Sequence, residues 1–526
     1  MSLTKKIWDG LWTGTAASVF ENLLRIPRMM VMTRVLGPEF YGLLGLFGVF
    51  REVVGKFIQL GTGDAVIQFL ASAKINQNTK SMSETMGAAS LIRLITICVS
   101  LAGFLIYEQD LVLWVKRYPA TLHVRPNEMI WLFRVLMVGI VIQALEGPLG
   151  NALQGFQAWK SLLVVRIIGA MASTGLPIAA ALMGFHLLGI VVAQQLAFVV
   201  IALVITYYYW LRVKPHLTQP GVKQIIAQLK PVLLFGLPLI FSQFFRLIYT
   251  YTDQLMLAGM GKVAAELSYY EVANNAAAML VFVPALLRSV MFPASAEFYA
   301  QKDKIRLQAL FTFMVKHLFW FLLPLGAGMA VLSPLAIEII AGEQYLPASK
   351  ALAWLALFVV MQSFGVPFFT CLVGSLGRTK DQLYIAIAGG GLNVLLNYLW
   401  IPTHGFMGAV YATGVGHLLG FLLACFFLSP HMKLNFPLRS IFVSTTLTAV
   451  TSGFLYLSMQ CHLVLVILVA PILAFFYVVG LGCFGVFDNQ DLGYLMRLFS
   501  SLNFKFNSVE GFFTKYARPA KKEHLL

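Results

Sequence analysis

Apolar segments recur along the whole chain, and this recurrence constrains the fold more than any other feature of the sequence. Each segment has the length of about 20 residues that a helix needs to cross the hydrocarbon core of a bilayer. Of the 526 residues, 59% are hydrophobic and only 11% are charged. So little polar surface cannot cover a soluble protein. The sequence therefore predicts an all-α polytopic membrane protein.

Hydropathy places about fourteen membrane spans along the chain. The predicted spans are residues 11–33, 40–62, 84–106, 129–150, 161–184, 187–210, 232–258, 269–294, 309–332, 349–374, 382–401, 406–428, 439–458 and 463–486. With a cytoplasmic N-terminus, the predicted outer loops contain only Lys116, Arg117, Arg125, Lys262 and Lys350 as basic residues. Because Lys and Arg favour cytoplasmic loops, we expect both termini in the cytoplasm. The net charge of +16 then reflects membrane topology, and we expect no nucleic-acid partner.

The chain repeats itself weakly at an interval of about 220 residues. LQGFQAWK at 153–160 resembles LVGSLGRTK at 372–380, and GFHLLGIVV at 184–192 resembles GFMGAVYA at 405–412. A repeat of six spans gives two copies of the same orientation, an arrangement known in transporters. The predicted organisation is an N-terminal lobe (1–211), a cytoplasmic linker (212–231), a C-terminal lobe (232–429), spans 13 and 14 (430–487) and a cytoplasmic amphipathic tail (488–526).

Several ionisable residues lie in the predicted spans, where each charge costs about 2.5–3.5 kcal/mol on insertion scales. Helical spacing places Glu21, Arg25 and Arg28 on one face of the first span, and it places Arg246 and Asp253 on one face of the seventh. The basic candidates for a binding cavity are Arg25, Arg28, Arg51, Lys56, Arg93, Arg246 and Arg288. The acidic candidates for charge pairing or ion coupling are Glu21, Glu146 and Asp253.

Two interpretations of these charges are open. They either pair with one another and fix helix packing, or they line a water-filled cavity that receives an anion. Arginines outnumber carboxylates in the first span, which favours the cavity. A guanidinium also binds phosphate through two parallel hydrogen bonds. The sequence contains no Walker-type phosphate loop, no HExxH and no serine-centred elbow, so we expect no enzyme, no metal and no cofactor.

Motifs in both halves resemble those of one transporter family. TRVLGPEFYGLLGLF after the first span resembles the A-R-x-L-G-P-x-x-[FY]-G stretch of bacterial polysaccharide exporters. LGTGDAVIQ at 60–68, FGLPLIFSQFFRLIYTYTDQLMLAGM in the seventh span, VMFPASAEF at 290–298 and HGFMGAVYAT at 404–413 match further stretches of that family. The chain thus resembles the polysaccharide and O-antigen flippases of the multidrug/oligosaccharidyl-lipid/polysaccharide exporter superfamily.

The resemblance implies a V-shaped pair of six-helix lobes with two further C-terminal helices, working by alternating access. It implies that an oligosaccharide, linked through pyrophosphate to a polyprenol, moves from the inner to the outer leaflet of the bacterial inner membrane. A proton or sodium ion would couple transport, and a polysaccharide polymerase and other assembly proteins would be partners. The related lipid II flippases use first-span arginines, and Arg25 or Arg28 matches them by position.

Other functions remain open at this point. A multidrug exporter or a lipid II flippase of the same superfamily is the nearest alternative. Multidrug exporters bind mostly cations, and an excess of arginine does not fit that role. A membrane glycan polymerase or ligase would need a large outer catalytic loop, and the predicted outer loops are short. The sequence does not distinguish O-antigen from capsule or exopolysaccharide as the product.

Overall fold

The chain is entirely helical wherever its structure is described. The structure is a computed structural model, and it describes residues 3–116, 124–260, 265–371, 376–461 and 463–486. The predicted amphipathic tail, 488–526, lies outside these residues. Helix is expected in a membrane because lipid offers no partner for backbone N–H and C=O groups, which must pair within the segment.

The described residues form seventeen α-helices. They are α1 (Leu3–Gln59), α2 (Thr62–Ile75), α3 (Thr79–Val115), α4 (Pro126–Gly155), α5 (Trp159–Leu182), α6 (Leu187–Arg212), α7 (Val222–Met260), α8 (Glu266–Ala277), α9 (Phe282–Ala300), α10 (Lys304–Val331), α11 (Ser333–Ala341), α12 (Ala348–Ser363), α13 (Val366–Phe369), α14 (Thr379–His404), α15 (Phe406–Leu428), α16 (Leu438–Cys461) and α17 (Leu463–Cys483).

Ten helices in the described part of the chain are long and apolar enough to cross a bilayer, so the protein is a multi-pass membrane protein. This confirms the predicted fold class, but the count of fourteen spans is not confirmed. The first two predicted spans share α1, in which Gly37 alone leaves helical geometry. The predicted eighth span is divided between α8 and α9 by a 3₁₀ turn at Ala278–Val281.

The sequence repeat has a counterpart in the backbone at three helix junctions. Residues with left-handed φ precede α3 and α10 at Gln77 (φ 51) and Lys302 (φ 58). In both places the next residue caps the helix: the Asn78 side chain accepts from Ser81 N–H, and Asp303 accepts from Arg306 N–H. Two further pairs of left-handed residues are Gln157 with Gly377, before α5 and α14, and Gly184 with Gly405, before α6 and α15.

The first of two compact units holds the residues of greatest functional interest. It comprises Met1–Val272, Glu338–Tyr345 and Asn397–Ala409. Within it α1 packs on α5 and α4, and α6 packs on α4 and α5. A buried cluster that includes Leu70, Met86 and Leu153 joins α2, α3 and α4. These contacts hold α1, α4, α5 and α6 against one another, and the charged residues of α1 are placed by them.

The second unit comprises Ala273–Ile337, Leu346–Leu396 and Val410–Leu526. One buried cluster joins α10, α13, α14 and α15. The last two helices attach to α10 through polar contacts, because Trp320 Nε1 donates to Ser440 Oγ at 2.7 Å and Tyr477 OH donates to the Trp320 carbonyl at 3.1 Å. Arg439 Nη2 also donates to the Phe484 carbonyl at 2.7 Å, which ties the start of α16 to the end of α17.

Candidate functional site

The basic residues of α1 lie on both sides of a break at Gly37. Gly37 has φ 71 and ψ 173, a backbone conformation that favours glycine. Arg25 and Arg28 precede the break, while Arg51 and Lys56 follow it. The break changes the direction of α1, so residues that are distant in a straight helix can approach each other.

Arg28 and Arg51 meet at one atom of α6. With its amide oxygen turned toward the two guanidinium groups, Gln194 accepts from Arg51 Nη1 at 3.0 Å and from Arg28 Nη2 at 3.3 Å. All three side chains are half-buried. We call Arg28, Arg51 and Gln194 the paired-arginine site. The guanidinium groups of two residues of α1 are therefore held together by one residue of α6.

Arg51 has further neighbours on α6, α1 and α7, where Phe198, Glu52 and Tyr251 lie. Its guanidinium carbon lies 5.2 Å from the ring centroid of Phe198, which follows Gln194 by one turn of α6. Its Nη2 is 4.0 Å from Glu52 Oε1, a distance at the limit of an ion pair, and the Glu52 side chain is 41% exposed. A pair this long and this open to its surroundings neutralises little of the charge of Arg51.

Arg28 has electrostatic neighbours of both signs. Tyr41 and Glu271 of α8 attract it, whereas Arg51 and Arg25 repel it. Among the residues that the structure describes, Arg28 has no carboxylate within ion-pair distance. Glu271 reaches this region only because Gly45 lacks a side chain: a Cβ at Gly45 would lie 1.7 Å from Glu271 Oε2. Within the described residues, the two guanidinium groups of the paired-arginine site therefore have Glu52, at 4.0 Å from Arg51, as their one carboxylate at ion-pair distance.

Glu21, predicted for charge pairing or ion coupling, is paired. Arg166 of α5 donates from Nε to Glu21 Oε1 at 2.8 Å and from Nη2 to Oε2 at 2.7 Å. The same guanidinium also donates to the Gly14 carbonyl and to Ser18 Oγ. Glu21 thus joins α1 to α5, and the helical face that it shares with Arg25 and Arg28 does not make it their partner.

Arg93, a candidate for the cavity, is enclosed in the protein. It is 3% exposed and donates from Nε to Thr62 Oγ1 at 3.1 Å and from Nη1 to the Ala144 carbonyl at 3.0 Å. Gly147 makes room for it, because a Cβ there would lie 1.9 Å from Arg93 Nη1. Glu146, half-buried on the same helix α4, attracts Arg93 electrostatically. This arrangement ties α2, α3 and α4 together.

Asp253 lies in a separate polar cluster of the first unit. It is 5% exposed, and its two carboxylate oxygens accept from Asn397 Nδ2 and from Tyr270 OH, both at 2.5 Å. Both neighbours donate to the carboxylate, and these donors compensate for the burial of its charge. In the part of the chain that is described, no group of three or more His, Cys, Asp or Glu residues is arranged to hold a metal.

The remaining candidates are placed as follows. Arg25 is exposed, and Lys56 is half-buried; within the described ranges neither has a carboxylate at ion-pair distance. Arg288 is an exposed residue of α9 in the second unit, with its guanidinium carbon 6.0 Å from the centroid of Phe292. Arg246 belongs to α7, but its side chain lies outside the described residues.

Residue types and helical spacing had not indicated Gln194, Phe198, Tyr270 or Asn397. A signal for Gln194 was present in AQQLAF, because two amides inside an apolar span are costly unless they have partners. Asn397 lies in the similar context LLNYLW. The aromatic residues carried no such signal, because aromatic residues occur throughout the predicted spans.

Comparison with known proteins gives one family and several relatives. A family model described as "Polysaccharide biosynthesis protein" matches residues 31–350. The chain is 28% identical over 197 residues to an uncharacterized membrane protein of Methanocaldococcus jannaschii, covering 36% of this chain and 37% of that protein. It is 21% identical over 212 residues to a probable low-salt glycan biosynthesis flippase of Haloferax volcanii, covering 40% and 44%. The chain therefore spans less than half the length of these curated relatives.

Two solved structures share the fold over most of their length. A lipid II flippase in an inward closed conformation superposes with a TM-score of 0.68 at 14% identity, covering 88% of this chain and 97% of that one. An inward-facing multidrug resistance transporter superposes with a TM-score of 0.62 at 19% identity, covering 78% and 95%. At these identities the likeness establishes the fold and does not choose between a lipid-linked and a drug-like substrate.

Proposed function

Because the chain belongs to the polysaccharide biosynthesis protein family, within the exporter superfamily of flippase-type transporters, we propose that it flips a polyprenyl-pyrophosphate-linked oligosaccharide. The substrate moves from the cytoplasmic to the outer leaflet by alternating access and feeds the export of O-antigen, capsule or exopolysaccharide. A polysaccharide polymerase and other assembly proteins receive it there. We propose the bacterial inner membrane as its location, with both termini in the cytoplasm.

The observation that carries the proposal is the meeting of Arg28 and Arg51 at Gln194 without a strong carboxylate partner. A pyrophosphate presents two adjacent anionic groups, and two adjacent guanidinium groups each offer paired donors to one of them. Buried arginines that lack a carboxylate need an anion or water. Arg25 lies one turn before Arg28 in α1 and adds a further positive charge near it.

The same observation weighs against the multidrug exporter, one of the two nearest alternatives. A site for cationic drugs needs an excess of carboxylates, and Arg28 has none within ion-pair distance among the described residues. A lipid II flippase also moves a lipid pyrophosphate, so the paired-arginine site suits both, and only the sugar distinguishes them. The family match to polysaccharide biosynthesis supports the oligosaccharide.

Two sources of energy are proposed for net transport. In a cell with a negative interior, outward movement of an anion is favoured by about 2.3 kcal/mol per charge for each 100 mV. A proton or sodium ion bound at Asp253, beside Asn397 and Tyr270, is the second source. Arg93 is left out of the substrate site because it is 3% exposed and two of its donors bond to Thr62 and to the Ala144 carbonyl. Arg246 and Arg288 remain proposed contributors from their own helices.

Flipping in proteoliposomes tests the proposal directly. A fluorescent polyprenyl-pyrophosphate oligosaccharide is loaded in the inner leaflet, and its appearance outside is followed with a membrane-impermeant quencher. The Arg28→Ala/Arg51→Ala double variant is expected to flip at least about tenfold more slowly than the wild type. The control is Arg212→Ala, an exposed arginine at the end of α6, and it is expected to match the wild type.

Two results would overturn the proposal. One is wild-type protein that flips no faster than empty vesicles. The other is a double variant, inserted at wild-type levels, that flips as fast as the wild type. Uptake of a fluorescent cationic drug in the absence of lipid flipping would support the multidrug alternative instead.

A further inference from the structure

Gln194 stands between two arginines that repel each other. We propose that it is a positioning residue: its amide oxygen holds Arg28 and Arg51 at the spacing that an anion needs, and it does so without neutralising them. The inference rests on the proposed anion site and adds a specific requirement to it. The residue at position 194 must be an acceptor and must be uncharged.

The geometry supports a positioning role for this face of α6. Gln194 accepts from one nitrogen of each guanidinium, at 3.0 Å from Arg51 Nη1 and 3.3 Å from Arg28 Nη2. One turn later, Phe198 lies under the guanidinium of Arg51 at 5.2 Å. Residues four apart lie on the same side of a helix. An amide oxygen and an aromatic face thus both fix Arg51, and neither removes its charge.

The electrostatics explain why an amide serves better than the alternatives. Two guanidinium groups separate if nothing accepts from both, so an apolar side chain at position 194 would release them. A carboxylate would hold them more strongly, because hydrogen bonds between ionised groups are about twice as strong as neutral ones. It would also neutralise the positive charge that the arginines need in order to bind a pyrophosphate. Only a neutral acceptor gathers the two arginines and leaves them free to bind an anion.

The neighbouring glutamine provides a natural comparison. Gln195 is 5% exposed, and its Nε2 donates to the Val191 carbonyl at 2.8 Å. Its Oε1 packs on α4, where a Cβ at Gly139 would lie 1.7 Å away. Gln194 and Gln195 are thus adjacent amides of the same helix with different partners, and only Gln194 meets the arginines.

The experiment compares anion binding with stability in the purified full-length protein in detergent micelles. Inorganic pyrophosphate is titrated by calorimetry, and the midpoint of thermal unfolding is measured without ligand. The variants are Gln194→Glu, Gln194→Met and the control Gln195→Met, with Arg28→Ala/Arg51→Ala as the reference that lacks the arginines.

A positioning role predicts that Gln194→Glu weakens pyrophosphate binding without lowering thermal stability. Its affinity for pyrophosphate falls by at least about tenfold, while its unfolding midpoint stays the same or rises, because the new carboxylate pairs with both arginines. Gln194→Met loses affinity by about three- to tenfold, because the arginines separate. Gln195→Met retains wild-type affinity whatever its stability. If Gln194→Glu does not fold, the comparison of Gln194→Met with Gln195→Met decides the question.

The outcomes separate this inference from the proposed function. If the double arginine variant loses pyrophosphate binding but Gln194→Glu and Gln194→Met bind as the wild type does, Gln194 only packs α6 against α1 and the inference is wrong. If the wild type does not bind pyrophosphate, or binds it as well without both arginines, the anion site itself is absent and both proposals fail.

Discussion

Arg166 and Glu21 form an ion pair with two hydrogen bonds, at 2.8 and 2.7 Å, that joins α5 to α1. Their side chains are 37% and 39% exposed. The pair accounts for the acidic residue in the charged first span. Of the two roles predicted for Glu21, the ion pair favours charge pairing over ion coupling.

Glu21→Gln is therefore expected to keep its dependence on an ion gradient and to lose some stability. A partly exposed pair of this kind contributes about 0.2–1 kcal/mol, so the loss is small. Thermal unfolding of Glu21→Gln, Arg166→Gln and the double variant measures it. The two single effects are expected not to add, because either change breaks the same pair. Additive effects, or a loss of gradient dependence in Glu21→Gln, would contradict this assignment.

Asp253→Asn is expected to abolish the stimulation of flipping by an inward proton or sodium gradient. The change removes the charge that would bind the ion but keeps a side chain of the same shape beside Asn397 and Tyr270. Flipping is measured in vesicles with each gradient applied in turn. Tyr270→Phe is the companion variant, which loses one donor to Asp253 and keeps its charge. Full gradient stimulation in Asp253→Asn, at wild-type protein levels, would exclude Asp253 as the coupling residue.

Gly45→Ala is expected to destabilise the protein by about 1–3 kcal/mol, the usual cost of inserting a methyl group into occupied space. Its new Cβ would lie 1.7 Å from Glu271 Oε2, so the carboxylate would have to move away from the region of Arg28. Gly48→Ala is the control, because nothing lies within 4 Å of a Cβ there. We expect Gly48→Ala to be neutral or stabilising, since alanine is the better helix former. Equal unfolding midpoints for the two variants would refute the packing of Glu271 on Gly45.

Ser440→Ala is expected to loosen the last two helices from α10. The change leaves the buried Nε1–H of Trp320 without the acceptor that it now has at 2.7 Å. An unsatisfied buried donor costs about 1–3 kcal/mol. Thermal unfolding followed by tryptophan fluorescence measures the effect. Thr446→Ala, at an exposed position of α16, serves as the reference and should change stability by less than about 0.5 kcal/mol. A Ser440→Ala variant as stable as Thr446→Ala would show that this bond contributes nothing.

The sequence predicted the helices well because the membrane leaves the backbone few choices. A long apolar segment in lipid has to satisfy its own hydrogen bonds, so hydropathy locates α3 to α6 directly. The short helices α2 and α11 were missed. They contain 14 and 9 residues, less than a bilayer requires, and therefore give no hydropathy signal of their own.

Helical spacing groups charged residues along one helix but does not predict their partners on other helices. Helical spacing correctly placed Glu21 and Arg28 on α1, yet it carries no information on contacts with other helices. Arg166, which pairs with Glu21, is 145 residues away. Gln194, where Arg28 and Arg51 meet, lies on α6. Such partners follow from the packing of α1 on α5 and from the break at Gly37, and neither is encoded in the spacing of charges along one span.

The matching left-handed junctions show what determines the path of the main chain at these turns. A residue other than glycine costs roughly 1–2 kcal/mol in this conformation. Gln157 nevertheless adopts it at the junction that matches Gly377, and Gln77 and Lys302 share it although their side chains differ. The preference of the residue therefore does not select the conformation, and the packing of the flanking helices has to supply the cost. At these junctions the direction in which a helix leaves its turn does not depend on a particular amino acid.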